Sequence, residues 1–259
     1  MKTDTALVLG NGPSLDMIDP ACFDHFTTFG TNRVYVMFPK WRRECDNIVI
    51  TDRARIREIG DSYRHYRGQM FVGSSHNIYP RVRELRRVLG RDFTPLKQMI
   101  VDRRRQRLLS RMDRWPAITR IVRNRKTVSF DFERGFNFGG TVGGTAAQIA
   151  VALGFNRVLL VGMDAGSIDG KTHLADLPHF PPEFQQQLKD RRYEDPRPVG
   201  ELSERSQWRS NNIRLKMEPF FVLLQVAMEE VGCELVDCTV NGKLRFISKG
   251  KLEDYIEAS

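Results

Sequence analysis

The sequence predicts an α/β fold with a doubly wound, mainly parallel sheet, and three observations carry that expectation. Short continuous apolar runs recur at 6–9, 27–30, 47–50, 69–72 and 158–161. Helical signals alternate with them at 53–60, 80–89, 141–153 and 208–231. Two glycine-rich turns stand between strand and helix, one at Gly10-Asn-Gly-Pro-Ser14 and one at Phe138-Gly-Gly-Thr-Val-Gly-Gly-Thr145. Unbroken apolar runs suit strands covered on both faces, and the intervening helices supply the crossovers that parallel neighbours need. The pattern is Rossmann-like. A chain of 259 residues with 41% hydrophobic content can bury the core of one such domain.

Taken in order, the first strand runs into Gly10, Asn11, Gly12, Pro13 and Ser14. Glycines let backbone N–H groups approach a ligand closely, Pro13 suits a first helical position, and a helix opening near Ser14 would favour an anion. Leu15 stands where a dinucleotide fingerprint has its third glycine, which disfavours an ordinary NAD site. Asn32 follows the second strand and Asp52 the third, so both are expected on the same rim as Asn11. A side-chain amide offers a donor and an acceptor and can read a pyrimidine or pterin edge. The segment at about 95–126 reads as a basic helix. The second glycine corner, with Gly139, Gly140 and Thr141, opens the helix at 141–153 and offers amides and a hydroxyl to phosphate or ribose. The same small residues would equally let that helix press on the sheet. The strand at 158–161 ends in Gly162-Met163-Asp164, which puts a carboxylate at the ligand-binding edge. An insertion at about 165–206, rich in proline and charge, reads as a lid. The helix at 208–231 is expected to be interrupted near Pro219, and late strands are expected at 233–238 and 243–247.

Composition narrows the function further. The net charge of +9 is concentrated between Val101 and Lys126, where ten Lys or Arg residues face Asp102 and Asp113. Apolar residues interleave there at helical spacing, leaving open a solvated face, an anionic membrane surface or polyanion, and nucleic acid. No zinc-finger, aromatic RNP or helix-turn-helix pattern supports specific nucleic-acid binding. The four cysteines lack metal-ligand spacing, so no metal site is expected. No leader-like run precedes the first strand, and no apolar run approaches the ~20 residues that span a bilayer. The expectation is a single cytoplasmic domain, 1–259, peripheral to the inner membrane face if the basic segment meets lipid. Self-association is left open.

The pattern Gly10-Asn-Gly-Pro-Ser-Leu15, Thr31-Asn32, Gly140-Thr141 with its Ala-rich helix, Leu153-Gly154 and Gly162-Met-Asp164 resembles the bacterial sialyltransferases that use CMP-N-acetylneuraminate. That resemblance implies that Asn11, Asn32, Gly140 and Thr141 hold the CMP moiety. Gly162-Met-Asp-Ala-Gly-Ser-Ile-Asp-Gly-Lys-Thr-His173 is more similar to the MptE-like family, which includes motility-associated flagellin glycosyltransferases and archaeal 6-hydroxymethyl-dihydropterin diphosphokinases. Val236-Asp-Cys-Thr-Val-Asn-Gly242 is similar to that family's late strand and turn. The sialyltransferases carry tyrosines where this chain has Ala165 and Gly166, and no histidine follows His179 here.

The expected activity is transfer of an acidic, sialic-acid-like sugar from a CMP-sugar to a glycan or protein hydroxyl, with no cofactor. His173 and His179 are candidate bases, because an imidazole titrates near neutrality. Asp164 is a third candidate, as base or as partner to an acceptor or ribose hydroxyl. One alternative is pyrophosphoryl transfer from ATP to a hydroxymethylpterin, with Asp164 binding magnesium. The other is a non-catalytic protein that binds nucleotides or polyanions.

Overall fold

A computed structural model describes residues 4–51, 56, 60–74, 78–99, 127–138, 141–165 and 217–256. The seven strands are β1 (Thr5–Leu9), β2 (Thr27–Thr31), β3 (Asn47–Ile50), β4 (Gln69–Ser74), β5 (Thr94–Lys97), β6 (Arg157–Val161) and β7 (Glu234–Asp237). They form one sheet in the order β5-β4-β3-β2-β1-β6-β7, and every pairing is parallel. The chain walks outward from β1 to β5, then returns to place β6 on the free side of β1. That reversal is the topological switch point, and in such sheets ligands bind beyond the strands' carboxyl ends there.

Alternation within each strand feeds two cores. Ala6 and Val8 of β1 join Val158 and Leu160 of β6 on one face, while Leu7 and Leu9 join Leu159 and Val161 on the other. The first face is covered by two helices, here α3 (Val142–Ala152) and the helical residues 217–229, α4, which contribute Ala146, Ile149, Phe221 and Leu224. α3 packs on β1, β2, β3 and β6. Gly144 allows it to meet α4 closely, because a Cβ there would lie 2.2 Å from the Phe220 ring. The second face is covered by 3-10 turns at Pro13–Met17 and Pro20–His25 and by helices α1 (Phe38–Trp41) and α2 (Ile78–Leu89). Leu15, Phe23, Trp41 and Leu89 anchor them. This is the doubly wound α/β arrangement the sequence predicts.

Three local expectations change. Residues 94–97 form β5, so the segment expected to be a basic helix from about 95 starts as strand. Thr94-Pro95-Leu96-Lys97 buries only Leu96, and Pro95 is tolerated because β5 is a sheet edge. The strand expected at 243–247 does not form. The amides of Arg245 and Phe246 donate to the Glu218 carboxylate and that of Ser248 to the Gln225 side chain, so α4 takes donors that a ladder would need. Among the described residues, this edge pairs by a bridge between Asp237 and Lys249. The helix expected from Ser14 is a five-residue 3-10 turn. The basic stretch 101–126, the lid at 166–206 and most of the helix at 53–60 lie outside the described residues. Among the described residues, no helix is long and apolar enough to cross a membrane.

Candidate functional site

Register brings the candidate residues to one level. Leu9 of β1 is level with Gly30 of β2 and with Val161 of β6, so residues 10–14, 31–33 and 162–164 leave the sheet side by side. The β1–β6 ladder continues past the strands, with Gly10 N donating to Val161 O at 2.8 Å and Gly12 N to Gly162 O at 2.9 Å. Gly162 turns left-handed here, φ 68°, and brings its carbonyl and Asp164 over the first corner. A Cβ on Gly10 would sit 2.2 Å from Gly162 O, and one on Gly12 would sit 1.5 Å from Asp164 Oδ2.

The first corner closes on Asp164. Ser14 N donates to its Oδ1 at 3.3 Å and Ser14 Oγ to its Oδ2 at 2.9 Å. The amides of Gly10, Gly12 and Ser14, expected to cradle a phosphate, are engaged by Val161, Gly162 and Asp164. The anion held at this corner is the protein's own carboxylate. Asp164 is itself fixed from the turn that follows β7, as Met163 N donates to Thr239 Oγ1 at 3.1 Å and Lys243 N to Asp164 O at 3.1 Å.

Asp164 is 4% exposed, and burial raises its carboxyl above the usual range. The two Ser14 hydrogen bonds oppose that rise and Asp237 adds to it. The folded chain therefore holds this proton more tightly than the unfolded chain. The group's contribution to stability falls as pH rises from the ordinary carboxylate value through the raised one. Asp164→Asn removes that slope. Urea midpoints are expected to show the wild type gaining on the variant as pH drops from 7 towards about 4.

At the β2 exit, Asn11 acts as a staple. Its Nδ2 donates to Thr31 O and Thr31 Oγ1, both at 2.8 Å, and its Oδ1 accepts from Arg33 N at 3.1 Å. Thr31 Oγ1 donates onward to Leu9 O at 2.8 Å. Between these clamped residues, Asn32 adopts a left-handed conformation, φ 44°. Its N–H donates to Val49 O at 3.2 Å and its carbonyl accepts from the Tyr63 hydroxyl at 2.6 Å. Its side-chain Oδ1 is buried with no hydrogen-bond partner among the described residues. A buried acceptor costs free energy unless something donates to it, and strained backbone concentrates at binding sites.

The mid-chain corner meets the first at Met163. A Cβ on Gly143 would lie 2.8 Å from the Met163 sulfur and one on Gly10 would lie 3.0 Å from it, so one side chain separates the two turns. Thr141 caps α3, its Oγ1 accepting from Gly143 N at 3.3 Å. Gly143 and Gly144 serve close packing. Gly139, Gly140, Asp52, His173 and His179 lie outside the described residues.

Two residues that organise this rim do not stand out from motif reading: Tyr63 and Gln148. Gln148 is wholly buried in α3. Its Oε1 accepts from Asn137 N at 3.1 Å and Ser129 N at 3.4 Å, and its Nε2 donates to Asn137 O at 2.9 Å and Gly144 O at 3.1 Å. It ties the approach to Gly139 onto the helix that follows. A lone glutamine in an alanine-rich apolar helix is the signal that could have found it.

A cavity of about 670 Å³ lies behind the Pro13–Met17 turn, walled by Met17, Ile18, Cys22, Thr239, Val240 and Leu252. None of the sequence-nominated residues lines it. It backs onto the site through Thr239. Comparison with family models, curated proteins and solved structures returns no match for this chain.

Proposed function

We propose that this chain is a transferase that moves an acidic, sialic-acid-like sugar from a CMP-sugar donor to a glycan or protein hydroxyl. The observation that carries the reading is Asn32: a left-handed residue beside the switch point whose buried acceptor has no partner among the described residues. A ligand N–H fits it, and the amino edge of cytosine supplies one. With the amides of the first corner engaged, the donor phosphate is assigned to the start of α3, where an eleven-residue helix capped by Thr141 aligns its dipole. Asp164 fixes the corner through Ser14. The acceptor proton falls to His173 or His179, since an imidazole near neutral pKa takes it without prior ionisation. CMP leaves readily, so the protein's work is positioning, proton removal and exclusion of water.

Thermal unfolding with a panel of nucleotides tests this. CMP without magnesium, at a hundredfold excess over Kd, is expected to raise Tm by about 5 °C or more. Asn32→Ala is expected to abolish that rise. Stabilisation by ATP with magnesium and none by CMP would overturn the reading in favour of pyrophosphoryl transfer to a pterin.

A further inference from the structure

We infer that Tyr63 is a positioning residue for nucleobase discrimination, acting through the hydrogen bond from its hydroxyl to the Asn32 carbonyl. The inference rests on the nucleotide reading above and adds a determinant outside the strand-end motifs.

Asparagine is one of the few residues with a Cβ that enter the left-handed region readily, and at Asn32 the surroundings fix that choice. The hold has two halves. Asn11 grips Thr31 and Arg33 on either side of it, and Tyr63 grips the peptide between residues 32 and 33 at 2.6 Å. Tyr63 is wholly buried and cannot readily shift. Its ring meets Tyr35 edge-on at 5.2 Å and Tyr66 at 5.8 Å. Burial also raises its phenol well above the ordinary value, so the hydroxyl keeps its proton and donates throughout the working pH range. Phenylalanine at 63 would keep the ring packing and remove the donor. The 32–33 peptide would then lose its partner and relax, and the Asn32 amide would leave the orientation in which its oxygen meets a base amino group. Cytosine carries that amino group and uracil carries a carbonyl in its place, so the pair isolates the contact.

Tyr66 provides the control. Its hydroxyl donates to Cys45 O at 2.9 Å in the same aromatic cluster, away from Asn32. Titration calorimetry with CMP and UMP on the wild type, Tyr63→Phe and Tyr66→Phe is the test. The wild type is expected to prefer CMP over UMP by about tenfold, Tyr63→Phe to lose most of that ratio, and Tyr66→Phe to retain it. A role in folding alone would lower Tm in both variants and leave the ratio unchanged. An unchanged CMP/UMP ratio in Tyr63→Phe, or a wild type that prefers UMP, would overturn the inference while leaving nucleotide binding in place. A wild type that binds neither nucleotide would overturn the nucleotide reading, and this inference with it.

Discussion

Replacing Gln148 with leucine is expected to destabilise the protein by about 3 kcal/mol or more, lowering Tm by about 10 °C. The side chains are similar in size, so the loss is one of hydrogen bonds. Four backbone groups of Ser129, Asn137 and Gly144 face the Gln148 amide inside the protein. Leucine would take the Gln148 acceptor from the amides of Ser129 and Asn137, whereas the Asn137 carbonyl still accepts from Thr145 Oγ1, and an orphaned buried polar group costs about 1–3 kcal/mol. Part of the loss is recovered as water enters or the segment shifts, which keeps the total below the simple sum. Gln225→Leu is the matched control: that residue sits partly exposed on α4, and its replacement is expected to cost less than about 1 kcal/mol. Urea and thermal unfolding read both. Because Asn137 leads into the mid-chain glycine corner, CMP binding is expected to fall more steeply than stability.

Gly12→Ala is expected to have the second large effect, about 2–4 kcal/mol, with loss of ligand binding. Its backbone, φ −75° and ψ 155°, is open to any residue, so conformational strain does not enter. The conflict is steric. The new methyl would lie 1.5 Å from Asp164 Oδ2, its principal obstacle, and 2.7 Å from Gly162 O, forcing the carboxylate off Ser14 and leaving that residue's buried amide and hydroxyl without their acceptor. A double mutant separates this cause from others. If Asp164 is the obstacle, Gly12→Ala combined with Asp164→Ala costs clearly less than the two single losses added. Full additivity would contradict the account. Gly10→Ala cannot be relieved in this way, because its methyl would meet the backbone oxygen of Gly162 at 2.2 Å.

The parts of this molecule legible from sequence are those with a local signature. The runs at β1, β3, β4 and β6 mark strands because burial on both faces favours consecutive apolar residues, while β2 adds the buried hydroxyls of Thr28 and Thr31. The glycine corner after β1 is legible for a local reason too: a Cβ at 10 would meet the Gly162 carbonyl, and one at 12 would meet the Asp164 carboxylate. What the corner does was hidden. Ser14 and Asp164 stand 150 residues apart, and nothing local states that a carboxylate from β6 fills the place where a phosphate was expected. Asn11 in its motif suggests a ligand contact, yet its amide is engaged by Thr31 and Arg33. β5 escaped notice because an edge strand needs only one buried residue, and 243–247 resembled a strand because the side chains of α4 that take its amides are remote in sequence. Tyr63 reads as one aromatic residue among many, and its hold on Asn32 is a matter of tertiary geometry.

Nucleotide binding through Asn32, on the rim shared by β1, β2 and β6, is what the proposed function requires. An amide NMR titration of the ¹⁵N-labelled protein with CMP reads it most directly. The account expects the Asn32 side-chain and backbone signals to shift saturably, together with Thr141, while those of Met17 and Val240 at the neighbouring cavity stay in place. Saturating CMP that leaves Asn32 unmoved, or moves only the residues around that cavity, would contradict it.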